Sequence, residues 1–258
     1  MFSFCKRKDV SADADTAKLT TEVGWVVDTS KAGFIWEAPR RLTRLSGRTT
    51  HAKGVSVCPA ANDHDARIWE VPCPIDLHIR FVMKDGEPGI ATIEGDQASI
   101  RSKHLNQMCT IVSRKEWRHP DRPIIQFFTP YVFLSDAPVY ITQQPPYYHY
   151  PSQPWPGILI GGRFPIDVWP RGLVWAFEWF DTSKPIHIKR GEPWFYVVFE
   201  TDNPARRVRL IEAEMTPELR EYSNGLAGVT NYVSQTYDLF ETARSRRPST
   251  LLVPKVRS

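Results

Sequence analysis

Residues 173–179 read LVWAFEW and residues 77–83 read LHIRFVM, and these two stretches decide the predicted fold. In both, large apolar side chains recur at every second position. Successive side chains of a β-strand point to opposite faces of the sheet, so a period of two predicts a strand with one buried face. The two stretches therefore predict β-sheets packed around an aromatic and aliphatic interior.

Short strand-like stretches continue on both sides of this pair, between residues 68 and 211. Turn sequences such as Asp85-Gly86 and Pro88-Gly89 separate them. The spacing indicates about ten to twelve strands with little helix between them, which favours antiparallel pairing. We expect an all-β-dominated fold, an antiparallel jelly-roll or cupin-like sandwich or barrel with a short C-terminal helical segment.

The predicted domain organisation has three parts. Residues 1–20 are polar and small, which is typical of a flexible N-terminal arm. Residues 21–212 carry the strand signals and form the β-sandwich domain. Residues 213–258 form a C-terminal helix and tail packed on the same domain, since Thr216 suits a helix N-cap and Pro217 the first helical position.

Charge and cysteine spacing limit the classes of partner and compartment. The 258 residues carry a net charge of only +4, with basic residues spread among acidic ones, so we expect no nucleic-acid or membrane partner. The four cysteines lack the short spacing of zinc or redox motifs. No apolar stretch follows the basic residues at the start of the sequence, so we expect no signal peptide and a cytoplasmic protein with reduced thiols.

An aromatic, proline-rich loop is the most unusual segment. Residues 143–157 read QQPPYYHYPSQPWPG. Proline restricts the backbone, and aromatic rings give a large contact area with few rotatable bonds, a combination that suits recognition. The alternative is a lid whose rings close one end of the sandwich. The candidate binding residues in this loop are Tyr147, Tyr148, His149, Tyr150 and Trp155.

Three further candidates follow the loop. Arg171 lies two residues after Trp169 and could stack on a ring or bind a carboxylate. Glu192 lies in a Gly-Glu-Pro turn and could be its partner. The alternative is an ion pair at a hairpin with a purely structural role.

A possible metal site comes from His119 and Asp121, which have the spacing of a His-x-Asp pair, with His187 as a distal third ligand. Two histidines and a carboxylate on one face would leave positions open on Fe(II). No basic residue occupies the downstream position that would bind a cosubstrate carboxylate. For each histidine alone, a surface or hydrogen-bonding role is the alternative.

Several short motifs are spaced between residues 55 and 200: Cys58-Pro59, Pro74-Ile75-Asp76-Leu77, Pro130-Tyr131-Val132-Phe133, Gly162-Arg163-Phe164, Trp169-Pro170-Arg171 and Ile188-Lys189-Arg190-Gly191-Glu192-Pro193. In these motifs the chain resembles an uncharacterised family, a domain of unknown function found in bacteria and tailed phages. The resemblance implies a β-sandwich or cupin-like fold and carries over no reaction. It gives no support to a metal site at His119, Asp121 and His187.

Two functional hypotheses follow. The first is a binding or assembly module without a cofactor, which contacts a protein or small molecule through the aromatic loop. The second is a cupin-like non-haem iron oxygenase, of the 2-oxoglutarate-dependent type, that uses His119, Asp121 and His187. In either case a homo-oligomer is expected, because exposed Trp and Tyr side chains favour contacts with other chains.

Overall fold

The computed structural model describes residues 20–30, 33–42, 54, 57–93, 100, 102–149, 154–229 and 236–256. Within these residues the chain forms fourteen strands: β1 (Thr20–Val27), β2 (Arg40–Arg41), β3 (Ile68–Pro72), β4 (Leu77–Lys84), β5 (Glu87–Thr92), β6 (Cys109–Ile111), β7 (Ile124–Leu134), β8 (Val139–Gln144), β9 (Gly157–Ile160), β10 (Arg163–Pro165), β11 (Gly172–Trp179), β12 (Ile186–Ile188), β13 (Pro193–Thr201) and β14 (Arg207–Glu212). Three α-helices accompany them: α1 (Pro59–Asp65), α2 (Pro217–Val229) and α3 (Thr236–Ser245). Two short 3-10 helices span Ser102–Gln107 and Arg114–Glu116.

The strands form three sheets. The large sheet has the order β14-β1-β7-β11-β9, with β6 also paired to β7. The second sheet has the order β10-β8-β13-β3-β2, and the small sheet has the order β12-β4-β5. The strand-rich class is confirmed, whereas the jelly-roll or cupin topology stays a prediction.

One strand pair departs from the expected antiparallel arrangement. Strand β1 pairs in parallel with β14, from Thr20 opposite Arg207 to Trp25 opposite Glu212. The chain between β1 and β14 forms the rest of the large sheet and the whole of the second sheet. Strand β14 therefore reaches β1 by a long connection and not by a hairpin. A parallel pair needs such a connection.

The core lies between the sheets and is rich in aromatic rings. Residues 173–179 and 77–83, which decided the predicted fold, lie in β11 and β4. In β11 the side chains of Leu173, Trp175, Phe177 and Trp179 are buried. Trp194 on β13 is fully buried and meets Trp175 edge to face, with 5.4 Å between ring centroids. This contact joins the second sheet to the large sheet.

The C-terminal helices pack on the β-structure, as predicted for a C-terminal helical segment. The N-cap prediction is confirmed, because Thr216 Oγ1 accepts a hydrogen bond of 3.1 Å from the Leu219 amide. The second core cluster combines side chains from the large sheet and from the helices: Val26, Val132, Leu134, Trp169, Ala213, Leu219, Tyr222, Leu226, Ala243 and Leu251. Residues 1–19, which include nearly all of the predicted N-terminal arm, lie outside the described residues.

No helix in the described ranges combines the length and the apolar character that a membrane crossing requires.

Tyr222 ties the helices to the β-structure and provides a test of their common folding. Its buried hydroxyl lies 2.7 Å from the Val168 carbonyl oxygen and 2.9 Å from that of Ala243. We expect Tyr222→Phe to lower the free energy of unfolding by about 1 kcal/mol, and Tyr222→Ala by about 3–5 kcal/mol, in denaturant titrations.

Tyr140→Phe is the matched control, because Tyr140 is 36% exposed on β8, and its expected effect is within about 0.5 kcal/mol. One cooperative transition should be seen in every variant. A separate early transition for the helices, with Tyr222→Ala changing only that transition, would show that the helices do not fold with the β-domain.

Candidate functional site

The candidate site is built on a row of polar residues that crosses the second sheet. Arg40 on β2 lies opposite Glu70 on β3, Glu70 lies opposite Tyr196 on β13, and Tyr196 lies opposite Gln144 on β8. Residues directly opposite one another in a sheet point to the same face. Their neighbours along the strands, such as Phe195, belong to the hydrophobic core, so the polar row lies on the outer face of the sheet.

Glu70 is the charged centre of this row. Arg40 Nε donates a hydrogen bond of 2.9 Å to Glu70 Oε2, and Arg40 Nη2 donates one of 2.9 Å to the Gly191 carbonyl. Glu70 is only 6% exposed, so the arginine compensates a carboxylate that has lost most of its water. Burial, together with the nearby Glu70 charge, raises the pKa of Tyr196 far above its usual range, so this phenol stays protonated at neutral pH.

Residues 147–149, which we call the tyrosine turn, cover the polar row. The Tyr147 ring meets the Tyr196 ring edge to face, with 5.4 Å between centroids. The Tyr147 hydroxyl donates a hydrogen bond of 3.1 Å to Gln144 Oε1. Burial raises the pKa of Tyr147 to about 12, with smaller effects from Tyr148 and Asp65. The turn is therefore attached to the sheet by a ring contact and a hydrogen bond.

Helix α1 provides a second attachment. The Tyr148 hydroxyl donates a hydrogen bond of 2.9 Å to Oδ1 of Asp65, the last residue of α1. The same oxygen lies 3.0 Å from His64 Nδ1. Asp65 is 7% exposed, so this carboxylate accepts its hydrogen bonds largely shielded from water, where each bond is stronger.

His149 closes the turn beside Glu192. His149 Nε2 lies 3.7 Å from Glu192 Oε2, too far for a direct hydrogen bond, and this buried atom has no hydrogen-bond partner among the described residues. Glu192 Oε2 also accepts a hydrogen bond of 3.0 Å from the Lys189 amide. Glu192 thus lies beside His149, and among the described residues no ion pair joins Glu192 to Arg171.

The tyrosine turn presents two rings to solvent although both are anchored. Tyr147 is 40% exposed and Tyr148 is 37% exposed, with 4.7 Å between their ring centroids. The backbone of the turn is fixed by the His149 amide, which donates a hydrogen bond of 2.8 Å to the Pro146 carbonyl. The result is an aromatic surface that is already ordered in the free chain.

Trp155, in the same loop, points toward the hydrophobic core and not toward the exposed rings of the tyrosine turn. Its ring lies parallel to that of Trp175 at 6.5 Å and meets Phe177 edge to face at 6.2 Å, so it packs against the core. The loop rejoins the large sheet at Gly157, where a Cβ atom would lie 2.0 Å from the Glu178 carbonyl oxygen. The loop therefore has exposed rings at its start and a ring packed on the core near its end, and its role in recognition stays a prediction. Tyr150 lies outside the described residues.

Trp169 and Arg171 do not join this site. Trp169 is 3% exposed and packs edge to face against Phe240 of α3, with 5.7 Å between ring centroids. Arg171 is exposed at the start of β11. The prediction that Trp169 lies on a binding surface is wrong in this structure, because α3 covers the ring.

The predicted metal ligands are not brought together. His119 and Asp121 are exposed in a tight turn, where the Asp121 amide donates a hydrogen bond of 3.2 Å to His119 Nδ1. His187 lies on β12 directly opposite His78 on β4. Among the described residues, no group of three or more His, Cys, Asp or Glu side chains is placed to hold a metal ion. This correction arises because spacing along the chain does not determine which strands pair.

Sequence reasoning missed Glu70, Asp65 and Tyr196, which organise the site. Glu70 is the one charged residue in the otherwise apolar stretch IWEVP, and this was an available signal. The sequence around Asp65 gave no such signal, because a carboxylate at the end of a short helix is usually solvated. The role of Tyr196 depends on pairing with β3 and β8, which local sequence does not specify.

The His78–His187 pair gives a pH-dependent prediction. The two rings lie 4.8 Å apart, and burial and the neighbouring imidazole of His187 lower the pKa of His78 below 6.5. At this position the unfolded chain binds a proton more readily than the folded chain does. Protonation of His78 therefore lowers the free energy of unfolding as pH falls below about 6.5. We expect His78→Gln to reduce the acid sensitivity of the unfolding transition between about pH 7.5 and 5.5.

The same pair can be followed directly by NMR titration of the histidine side chains. His187→Gln should raise the pKa of His78, because one of the two causes of the shift is removed. An unchanged His78 titration in this variant would contradict a contribution from His187.

Comparisons of the chain with protein-family models, with curated proteins and with solved structures find no match. The resemblance to an uncharacterised family of bacteria and tailed phages is therefore an expectation that these comparisons leave untested.

Proposed function

We propose that this protein is a binding module that contacts another protein chain through the tyrosine turn. The observation that carries the proposal is the pair of neighbouring rings, Tyr147 and Tyr148, each exposed by more than a third and each anchored by its hydroxyl. Tyrosine is enriched among the residues that contribute most to protein interfaces. A ring that is already fixed loses little further conformational entropy when a partner binds.

The partner is a protein surface with an apolar depression and hydrogen-bond donors at its rim. The rings offer apolar faces. Each hydroxyl already donates its one proton within the chain, to Gln144 and to Asp65, so its oxygen is left to accept a hydrogen bond from the partner. A second copy of the chain is one such partner, which would give the homo-oligomer expected from the sequence. The second hypothesis, an iron-dependent oxygenase, is not favoured by any observation, because His187 does not join His119 and Asp121 in one group of ligands.

We further infer a jelly-roll-like arrangement and a reducing compartment. Two mainly antiparallel sheets share one core, which suits a sandwich. Cys73 and Cys109 are buried free thiols, and burial raises the pKa of each to about 12, so both are unreactive. Cys58 is free and exposed, a state that a reducing cytoplasm maintains.

Site-specific photo-crosslinking tests the proposed contact. Tyr147 is replaced by p-benzoylphenylalanine in cells that produce the protein, and the same replacement at Tyr140 is the matched control, since Tyr140 is 36% exposed on β8. We expect a discrete crosslinked species at position 147 and none at position 140. A species of twice the chain mass identifies a second copy, and another mass identifies a different protein.

Affinity measurements on the captured partner then test the role of the ring. Tyr147→Ala should weaken binding by about 2 kcal/mol, roughly thirtyfold, as for a residue at the centre of an interface. Tyr140→Ala should change affinity less than about twofold. The absence of a discrete crosslink at position 147 in folded protein would contradict the proposal.

A further inference from the structure

A second site lies on the other side of α1, in a cleft of about 410 Å³. Its walls come from α1 and the turn that follows it, from β2 and β13 of the second sheet, and from β14 of the large sheet. Clefts of about 300–1,000 Å³ are the usual size for small-molecule sites. The residues of the cleft that matter here are Arg41, Arg67, Arg207, Asp63, Pro59 and Val208.

Arg41 is held in place at the base of the cleft. Its Nη1 donates a hydrogen bond of 2.9 Å to the Ala66 carbonyl, and its Nη2 donates one of 3.2 Å to the Val208 carbonyl. The guanidinium also lies over the Trp69 ring, 4.8 Å from its centroid. Arg41 thus connects the turn after α1 to β14 and holds a positive charge between them.

Arg67 is fixed on the opposite wall. Its Nε and Nη2 donate hydrogen bonds of 3.1 and 3.3 Å to the two carboxylate oxygens of Asp63, and Nη2 donates another of 2.8 Å to the Pro204 carbonyl. Asp63 is the one carboxylate among the described residues that line the cleft, and the two hydrogen bonds from Arg67 compensate its charge. A ligand therefore meets Arg67 in a defined orientation.

Arg207 adds a third guanidinium to the cleft, beside Arg41 and the paired Arg67. It is exposed at the first position of β14, and within the described part of the chain its guanidinium has neither an ion-pair partner nor a hydrogen-bond partner. The described residues that line the cleft include three guanidinium groups and one carboxylate, so their net formal charge is positive. Cations gathered in a concave surface attract anions and raise their local concentration.

We propose that this cleft binds a small organic anion, in which a phosphate or carboxylate group meets Arg207 and Arg41 while an apolar part lies against Pro59 and Val208. The planar guanidinium matches both kinds of anionic group with paired hydrogen bonds. Phe199 completes the apolar lining. This site is separate from the tyrosine turn, so the proposal does not depend on the proposed function.

Isothermal titration calorimetry with defined probes tests the proposal. Phenyl phosphate carries both an anionic group and a ring, benzoate carries a carboxylate in place of the phosphate, and benzyl alcohol carries the ring without charge. We expect saturable binding of phenyl phosphate or benzoate that weakens as salt is added, and no binding of benzyl alcohol. The stronger of the two anions identifies the anionic group that the cleft prefers.

Variants of the full chain locate the binding. Arg207→Gln should weaken binding of the preferred anion about tenfold, since it removes one charge-assisted contact from an exposed position. Arg163→Gln is the matched control, because Arg163 is equally an exposed strand arginine but pairs with Glu200 at 3.0 Å outside the cleft. It should leave the affinity unchanged.

Two results would overturn the proposal. One is that neither anion binds with saturation at about 10 mM, which is weaker than a specific small-molecule site should give. The other is that Arg207→Gln and Arg163→Gln weaken binding equally, which would show attraction to the overall positive charge of the surface. Thermal unfolding of each variant verifies that the fold is retained, so a lost interaction is distinguishable from a lost structure.

Discussion

The packing of aromatic rings around Trp194 is the constraint on which the rest of the structure depends. This fully buried ring stacks on Trp36 at 5.9 Å and meets Phe127 and Trp175 edge to face, and so connects the second sheet to the large sheet. Within the described part of the chain, the buried indole N–H groups of Trp36, Trp175 and Trp194 have no hydrogen-bond partner. Edge-to-face geometry partly compensates such groups, because a ring edge directed at a neighbouring π face makes a weak hydrogen bond.

This core holds the inner face of the second sheet against the large sheet. The outer face of the second sheet therefore carries polar side chains. Glu70 and Tyr196 alternate with core residues along β3 and β13, and Tyr147 of the tyrosine turn packs against the Tyr196 ring. Glu70, opposite Tyr196, is a buried carboxylate, and Arg40 pairs with it. The exposed ring of Tyr147 is therefore positioned by the polar row beneath it, and that of Tyr148 by Asp65 of α1.

The sequence predicted the local features of this molecule and failed where distant segments pair. Alternation in residues 173–179 located β11, and Thr216 located the start of α2, because both signals lie within a few neighbouring residues. The parallel pair of β1 with β14 gave no such signal. The same limit explains why the spacing of His119 and Asp121 was misleading, since the neighbour of His187 proved to be His78 from another strand. Of the candidate site, the aromatic loop was visible in the sequence, and the carboxylates that anchor it were not.

Helix α1 links the two surfaces on which the proposals rest. Its last residue, Asp65, accepts the hydrogen bond from Tyr148. Asp63, two residues earlier, accepts the hydrogen bond that orients Arg67 in the cleft. The helix has only seven residues and its Cys58 N-cap makes no side-chain hydrogen bond, and the side-chain contacts of Asp63 and Asp65 help to hold it in place. A displacement of α1 by a ligand in the cleft would move Asp65 and with it the anchor of the tyrosine turn. Any such coupling acts equally in both directions, so a partner on the turn would change the affinity of the cleft by the same factor.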